Sequence, residues 1–104
     1  MIILDEQLTR VKQVESNKEI KFSMGFISVV DQGKAKEWDI SLEDIEDYGP
    51  ILDLFASNKP TEFEFICENG TIFYGKAAVT SILSSDILMK GTGPLKDSND
   101  NIIA

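Results

Sequence analysis

Asn69-Gly70 lies between two alternating apolar runs, Phe63-Glu64-Phe65-Ile66-Cys67 before it and Thr71-Ile72-Phe73-Tyr74 after it. An Asn-Gly pair in that setting is the strongest short-range signal for a β-hairpin, because a type I′ turn needs positive φ at both central residues. Counting outward places Glu68 opposite Thr71, Cys67 opposite Ile72, Ile66 opposite Phe73 and Phe65 opposite Tyr74. One face of the predicted hairpin then carries Phe63, Phe65, Cys67, Ile72 and Tyr74, and is core. The other carries Glu62, Glu64 and Glu68, but also the Ile66–Phe73 pair, Gly75 and Ala77. That second face is neither fully wet nor fully dry.

The alternation extends to much of the chain. Ile20, Phe22, Met24, Phe26, Ser28 and Val30 share one face of a predicted strand and read as core; Lys21, Ser23, Gly25, Ile27 and Val29 share the other. Asp31-Gln32-Gly33-Lys34 reverses the chain, and Trp38, Ile40 and Leu42 then alternate inward. Leu4, Leu8, Val11 and Val14 have roughly helical spacing, while the Thr, Val and Gln residues around them suit a strand equally well. The clear β character of residues 20–30 favours a strand there too.

One helix interrupts the pattern. Ser41-Leu42-Glu43-Asp44 resembles a capping box, Gly49-Pro50 places a proline where a first helical turn tolerates it, and Ile51, Leu52, Leu54 and Phe55 form an apolar stripe. Asn58-Lys59-Pro60 ends it. The expected fold is mainly β, a small antiparallel sandwich or barrel of about six strands with a short helix near residues 43–57. Residues 1–95 form a single domain, and the polar segment 96–104 reads as a flexible tail.

Charge narrows the function. The chain carries −8 overall, yet residues 37–69 alone hold one lysine against ten acidic side chains. That balance opposes direct binding to a phosphate backbone and leaves open a basic protein partner or a surface that mimics nucleic acid. The acidic side chains singled out are Glu43, Asp44, Glu46, Asp47, Glu62, Glu64 and Glu68. No apolar run reaches the ~20 residues that span a bilayer, and the short Met1–Leu4 run has no basic flank, so an intracellular protein is expected.

Catalytic and metal chemistry find little footing. Histidine is absent and Cys67 is the only cysteine, which removes the commonest general base and metal ligand and any internal disulfide. Cys67 sits on the expected core face with no base to activate it. Glu43, Asp44, Glu46 and Asp47 fall on several faces of a helix start and lack the glycine-turned Asp/Asn loop of a calcium site. Gly91-Thr92-Gly93 is followed by Pro94-Leu95 rather than the Gly-Lys-Ser/Thr of a phosphate loop. No enzymatic activity, cofactor or metal is expected.

From Lys36 onward the order of elements carries a further signal: Glu37-Trp38-Asp39-Ile40-Ser41, then Ile51-Leu52-Asp53-Leu54-Phe55, then Lys59-Pro60-Thr61-Glu62-Phe63-Glu64-Phe65, then Phe73-Tyr74-Gly75-Lys76-Ala77-Ala78-Val79-Thr80-Ser81, and finally Lys90-Gly91-Thr92-Gly93-Pro94-Leu95. In this order the chain resembles bacteriophage and prophage tail tube (major tail) proteins over a little more than half of its length. The resemblance implies a β-sandwich or barrel subunit without enzymatic activity that closes into rings, usually hexamers, and stacks as a conduit for DNA. Its partners would be copies of itself or other tail proteins. Ile27, Val29, Ile66, Phe73 and Ala77 are the expected interface, a half-apolar sheet face that a neighbouring subunit or the chain's own helix would cover. A negative patch also suits a lumen through which DNA slides without sticking. An acidic binding or inhibitory module that occupies a basic protein surface is the alternative.

Overall fold

The computed structural model describes all 104 residues. Its elements are β1 (Ile2–Gln13), β2 (Glu19–Ile20), β3 (Met24–Asp31), β4 (Lys36–Glu43), α1 (Gly49–Ser57), β5 (Thr61–Cys67), β6 (Ile72–Leu83), β7 (Asp86–Gly91) and β8 (Lys96–Asp97). Every pairing is antiparallel. The order β1-β3-β4-β7-β6-β5 returns to β1, so six strands close into a barrel, with β2 and β8 as short additions. Two meanders, β1-β3-β4 and β5-β6-β7, are joined by α1.

Closure depends on the length of β1. Its first half pairs with β3 and its second half, Leu8 to Gln13, pairs with β5. The β1–β5 register shifts between Leu8 and Arg10, a bulge that turns the strand from one neighbour to the other. It also brings Leu8 and Val11, three residues apart, into the core together. The helix-like spacing of β1 is therefore a bulged strand.

The hairpin turn corrects the sequence register. Gly70 N–H donates to the Cys67 carbonyl at 3.0 Å and Cys67 N–H to the Thr71 carbonyl at 2.8 Å. Gly70 alone among the turn residues has positive φ, at 91°. This is a type I turn closed by a left-handed glycine, one residue longer than the type I′ turn expected. Phe65 consequently opposes Phe73, and Ile66 opposes Ile72. A one-residue change exchanges the two faces of a strand. Phe73 joins Phe63, Phe65 and Cys67 in the core, while Ile72 and Tyr74 move outward.

Strand β3 is corrected in the same sense: Gly25, Ile27 and Val29 point inward, and Met24, Phe26, Ser28 and Val30 line the outer wall. Ile20 is buried in β2, but the irregular stretch between Ile20 and Met24 breaks the continuous alternation and changes its phase. The capping box is absent, because Ser41 lies within β4 and Asp44 adopts a left-handed conformation (φ 55°). The helix begins at Gly49 with Pro50 in its first turn and ends at Asn58 in the left-handed region, in keeping with the Gly49-Pro50 and Asn58-Lys59-Pro60 signals.

Trp38 organises the interior. Its indole is 3% exposed, meets the Phe65 ring edge-on at 5.8 Å and 76°, and donates Nε1–H to the Gly93 carbonyl at 2.8 Å. Strands β6 and β7 pass directly against it. A Cβ at Gly75 would stand 2.7 Å from the ring, and one at Gly91 would overlap it. Leu95, at the end of the same glycine-rich segment, is fully buried.

Helix α1 lies by the end of the barrel where β1 finishes and β6 turns into β7. It inserts Ile51 into the core, and the Tyr48 hydroxyl before it donates to the Ser84 carbonyl at 2.8 Å. The C-terminal segment departs from the flexible tail expected of its polarity. Strand β8 pairs with Phe73 and Tyr74 of β6, Leu95 N–H donates to the Ala104 carbonyl at 2.9 Å, and Ile103 N–H to the Leu95 carbonyl at 2.7 Å. Ile103 and Ala104 pack on the core. The Asp97 carboxylate accepts the backbone N–H groups of Asn99 and Asn101; the Asn101 bond is the largest influence holding it below the usual carboxylate range.

Candidate interaction surface

The structure separates the residues expected to form an interface. Ile27, Val29, Phe73 and Ala77 are at most 3% exposed and belong to the chain's own core, so no neighbouring subunit can reach them. The cause is the inward phase of β3 and the shifted hairpin register. Ile66 alone remains partly exposed, on the outer wall beside Ile72.

The acidic residues do not form one patch. Glu62 and Glu64 lie on β5 opposite Lys76 of β6 and Lys12 of β1, respectively, and such cross-strand pairs offset their charge. Glu68 stands apart in the hairpin turn. Glu43, Asp44, Glu46 and Asp47 line the connection from β4 to α1, all exposed, where Asp47 accepts the Gly49 N–H at 3.0 Å. The two ion pairs of the protein, Arg10–Glu19 and Lys96–Asp100, lie elsewhere. Glu43, Asp44, Glu46, Asp47 and the nearby Asp86 take part in no ion pair; Lys21, whose carbonyl accepts the Glu46 N–H at 3.1 Å, is the cation beside Glu46 and Asp47.

Two features of the outer surface stand out. The first is an open strand edge: Ile2 to Glu6 of β1 pair only with β3, because β5 ends its pairing with β1 at Leu8. Met1, Ile2 and Ile3 are exposed there (85%, 65% and 43%). The second is a groove of about 290 Å³ across β3, β4, β7 and β6. Its central row is Phe26, Ser41, Leu88 and Ser81, each opposite the next on the adjoining strand. Small serines between large apolar side chains hollow the wall, with Leu42 and Ile87 beneath. Met24 opposes Glu43 and Leu83 opposes Asp86 at one end.

Neither feature emerges from the sequence reading. Alternation from Ile20 places Met24 and Phe26 inward, and Leu88 is hidden in the unbroken apolar run Ile87-Leu88-Met89. That run is the available signal, since three consecutive apolar residues in a strand put at least one on each face.

Side-chain chemistry at Cys67 is subdued. Burial, with a smaller contribution from Glu6, pushes its thiol up to about 11 from an ordinary value of 9.0, so it stays protonated and unreactive. The folded state holds this proton more tightly than the unfolded one. The stabilisation Cys67 contributes is thus complete below pH 9 and lost as pH rises through about 11. Cys67→Ala is expected to flatten the fall in urea midpoint between those pH values; an unchanged slope would assign the loss to other groups. No group of three or more His, Cys, Asp or Glu side chains is arranged to hold a metal ion, and no helix is long and apolar enough to cross a membrane.

No family model, curated protein or solved structure matches the chain.

Proposed function

We propose that this chain is a non-enzymatic assembly subunit that associates with copies of itself or with other tail proteins, as its resemblance to phage tail tube proteins implies. The observation that carries this reading is the open edge of β1. Two long strands change neighbour part-way and leave a one-sided stretch: residues 78–83 of β6, which pair only with β7 but have α1 packed against their strand, and Ile2–Glu6 of β1, which offer backbone donors and acceptors flanked by exposed Ile2 and Ile3. Such an edge is a template for another strand, and the charge that commonly protects one is confined here to Asp5 and Glu6, leaving Ile2–Leu4 without it. The buried, proton-retaining thiol of Cys67 also supports a role without covalent chemistry.

Light scattering over a concentration series, with negative-stain microscopy, tests it. The mass is expected to rise above the 11.6 kDa of one chain into rings or tubes, and Ile2→Lys with Ile3→Lys is expected to return it to one chain. A strict monomer at high concentration, with no rings or tubes, would overturn the reading.

An acidic binding module is the second reading. It is favoured by the carboxylates of residues 43–47, which no lysine or arginine of the chain pairs. Salt-sensitive capture of a basic DNA-binding protein would support it.

A further inference from the structure

We infer that the groove across β3, β4, β7 and β6 is a docking site for an amphipathic, lysine- or arginine-bearing segment of a different protein. This site rests on the second reading above and gives it a location and a chemistry.

The apolar part of the groove is ready to be covered. Leu83 and Leu88, 76% and 41% exposed, line one groove together with Phe26, and Met24, 42% exposed, stands beside it opposite Glu43. Ser41 leaves room for a side chain from outside to sink between Phe26 and Leu88, and Ser81 leaves room on the far side of Leu88.

Charge selects the occupant. Glu43 and Asp86 both line the groove at one end, and neither takes part in an ion pair. Asp86 Oδ1 accepts the Asp44 N–H at 3.3 Å, and Asp44 Oδ1 accepts the Ser85 hydroxyl at 3.3 Å, so the rim is held in place by hydrogen bonds that leave its charge uncompensated. A segment with apolar residues on one face and a cation at its edge satisfies both halves of the site.

A second copy is a poorer occupant. The exposed apolar residues it could offer in groups are Leu52 and Phe55 of α1, which flank Asp53, and Met1–Ile3, which precede Asp5 and Glu6; Val14 and Ile102 are exposed singly. Either group would bring carboxylates toward Glu43 and Asp86 at this face, and like charges juxtaposed across an interface oppose docking there.

The test titrates the ¹⁵N-labelled full chain with an amphipathic leucine/lysine helical peptide at low and at 0.5 M salt. A leucine/glutamate peptide with the same apolar face is the control. The expected result is that only the lysine peptide shifts amides of the central row and the Glu43–Asp86 end. Leu88→Ser should weaken it by about tenfold or more, as loss of a central apolar anchor does, and Glu43→Lys should weaken it and reduce its salt dependence. Retained emission from Trp38 confirms that both variants are folded. Shifts confined to residues 46–53 would overturn the groove while leaving an acidic module intact. Equal binding of both peptides, or no binding, would overturn the site. Shifts of the groove amides on raising the protein concentration alone would assign the face to a second copy instead.

Discussion

Trp38→Ala is expected to lower the unfolding free energy by about 3–5 kcal/mol, the range for removing a buried large aromatic side chain. Three consequences of the change act together. The indole is almost fully buried between β6 and β7, so its loss leaves a cavity under two strands at once. Phe65 loses its edge-on partner, and the Gly93 carbonyl loses the Nε1–H that it accepts. Gly75 and Gly91 have no side chains with which to fill the space. Urea denaturation followed by far-ultraviolet circular dichroism, which does not depend on the single tryptophan, measures it. A loss below about 1.5 kcal/mol would mean that the barrel collapses onto the site far better than such packing allows.

The second large effect separates two glycines of one short motif. A Cβ at Gly91 would overlap the indole of Trp38, whereas a Cβ at Gly93 would meet nothing within 4 Å. Gly91→Ala is therefore expected to destabilise by about 1–3 kcal/mol, as overpacking does, toward the upper end because the ring is anchored by its hydrogen bond. Gly93→Ala should be neutral or stabilise by roughly 0.4–1 kcal/mol through the unfolded chain. Gly93 has no positive φ to forbid the change. Thermal denaturation of the two variants side by side decides it. Equal midpoints would show that neither glycine is required by the tryptophan. Trp38→Phe combined with Gly91→Ala should recover part of the loss, because residues in contact do not act additively.

The Gly91-Thr92-Gly93-Pro94-Leu95 segment thus has a physical explanation independent of any family. Gly91 accommodates the indole, the Thr92 N–H and hydroxyl both donate to the Lys76 carbonyl, and Gly93 supplies the acceptor for Trp38. The pairing of a tryptophan strand with this segment is a packing device.

Much of the fold is legible in the sequence. The main strands, the hairpin at Asn69-Gly70, and the helix around Ile51 with its end at Asn58 are readable from alternation, turn residues and proline placement, whereas the helix begins at Gly49 rather than near residue 43 and β8 forms in the segment expected to be a flexible tail. The candidate site is not. Ile27, Val29, Phe73 and Ala77, expected at an interface, lie in the core, and the groove is flanked by Met24 and Phe26, which simple alternation sends inward. Lys12 and Lys76 stand opposite two of the glutamates counted in the acidic patch, a compensation between residues distant in sequence that a running charge count does not register.

The sequence by itself determined that this chain would be a β-rich domain with one helix and a concentrated negative charge, because periodicity, turn chemistry and composition are local properties. The tertiary structure decided which face of each strand is inside. A period of two is satisfied by either phase, so one left-handed glycine at Gly70, one bulge after Leu8 and one break before Met24 were enough to exchange core for surface. It also decided closure into a barrel, since β1 can bend from β3 to β5 only when both neighbours are present. With closure came the open edge at Ile2–Glu6 and the groove beside Glu43 and Asp86, the surfaces proposed above to meet a partner.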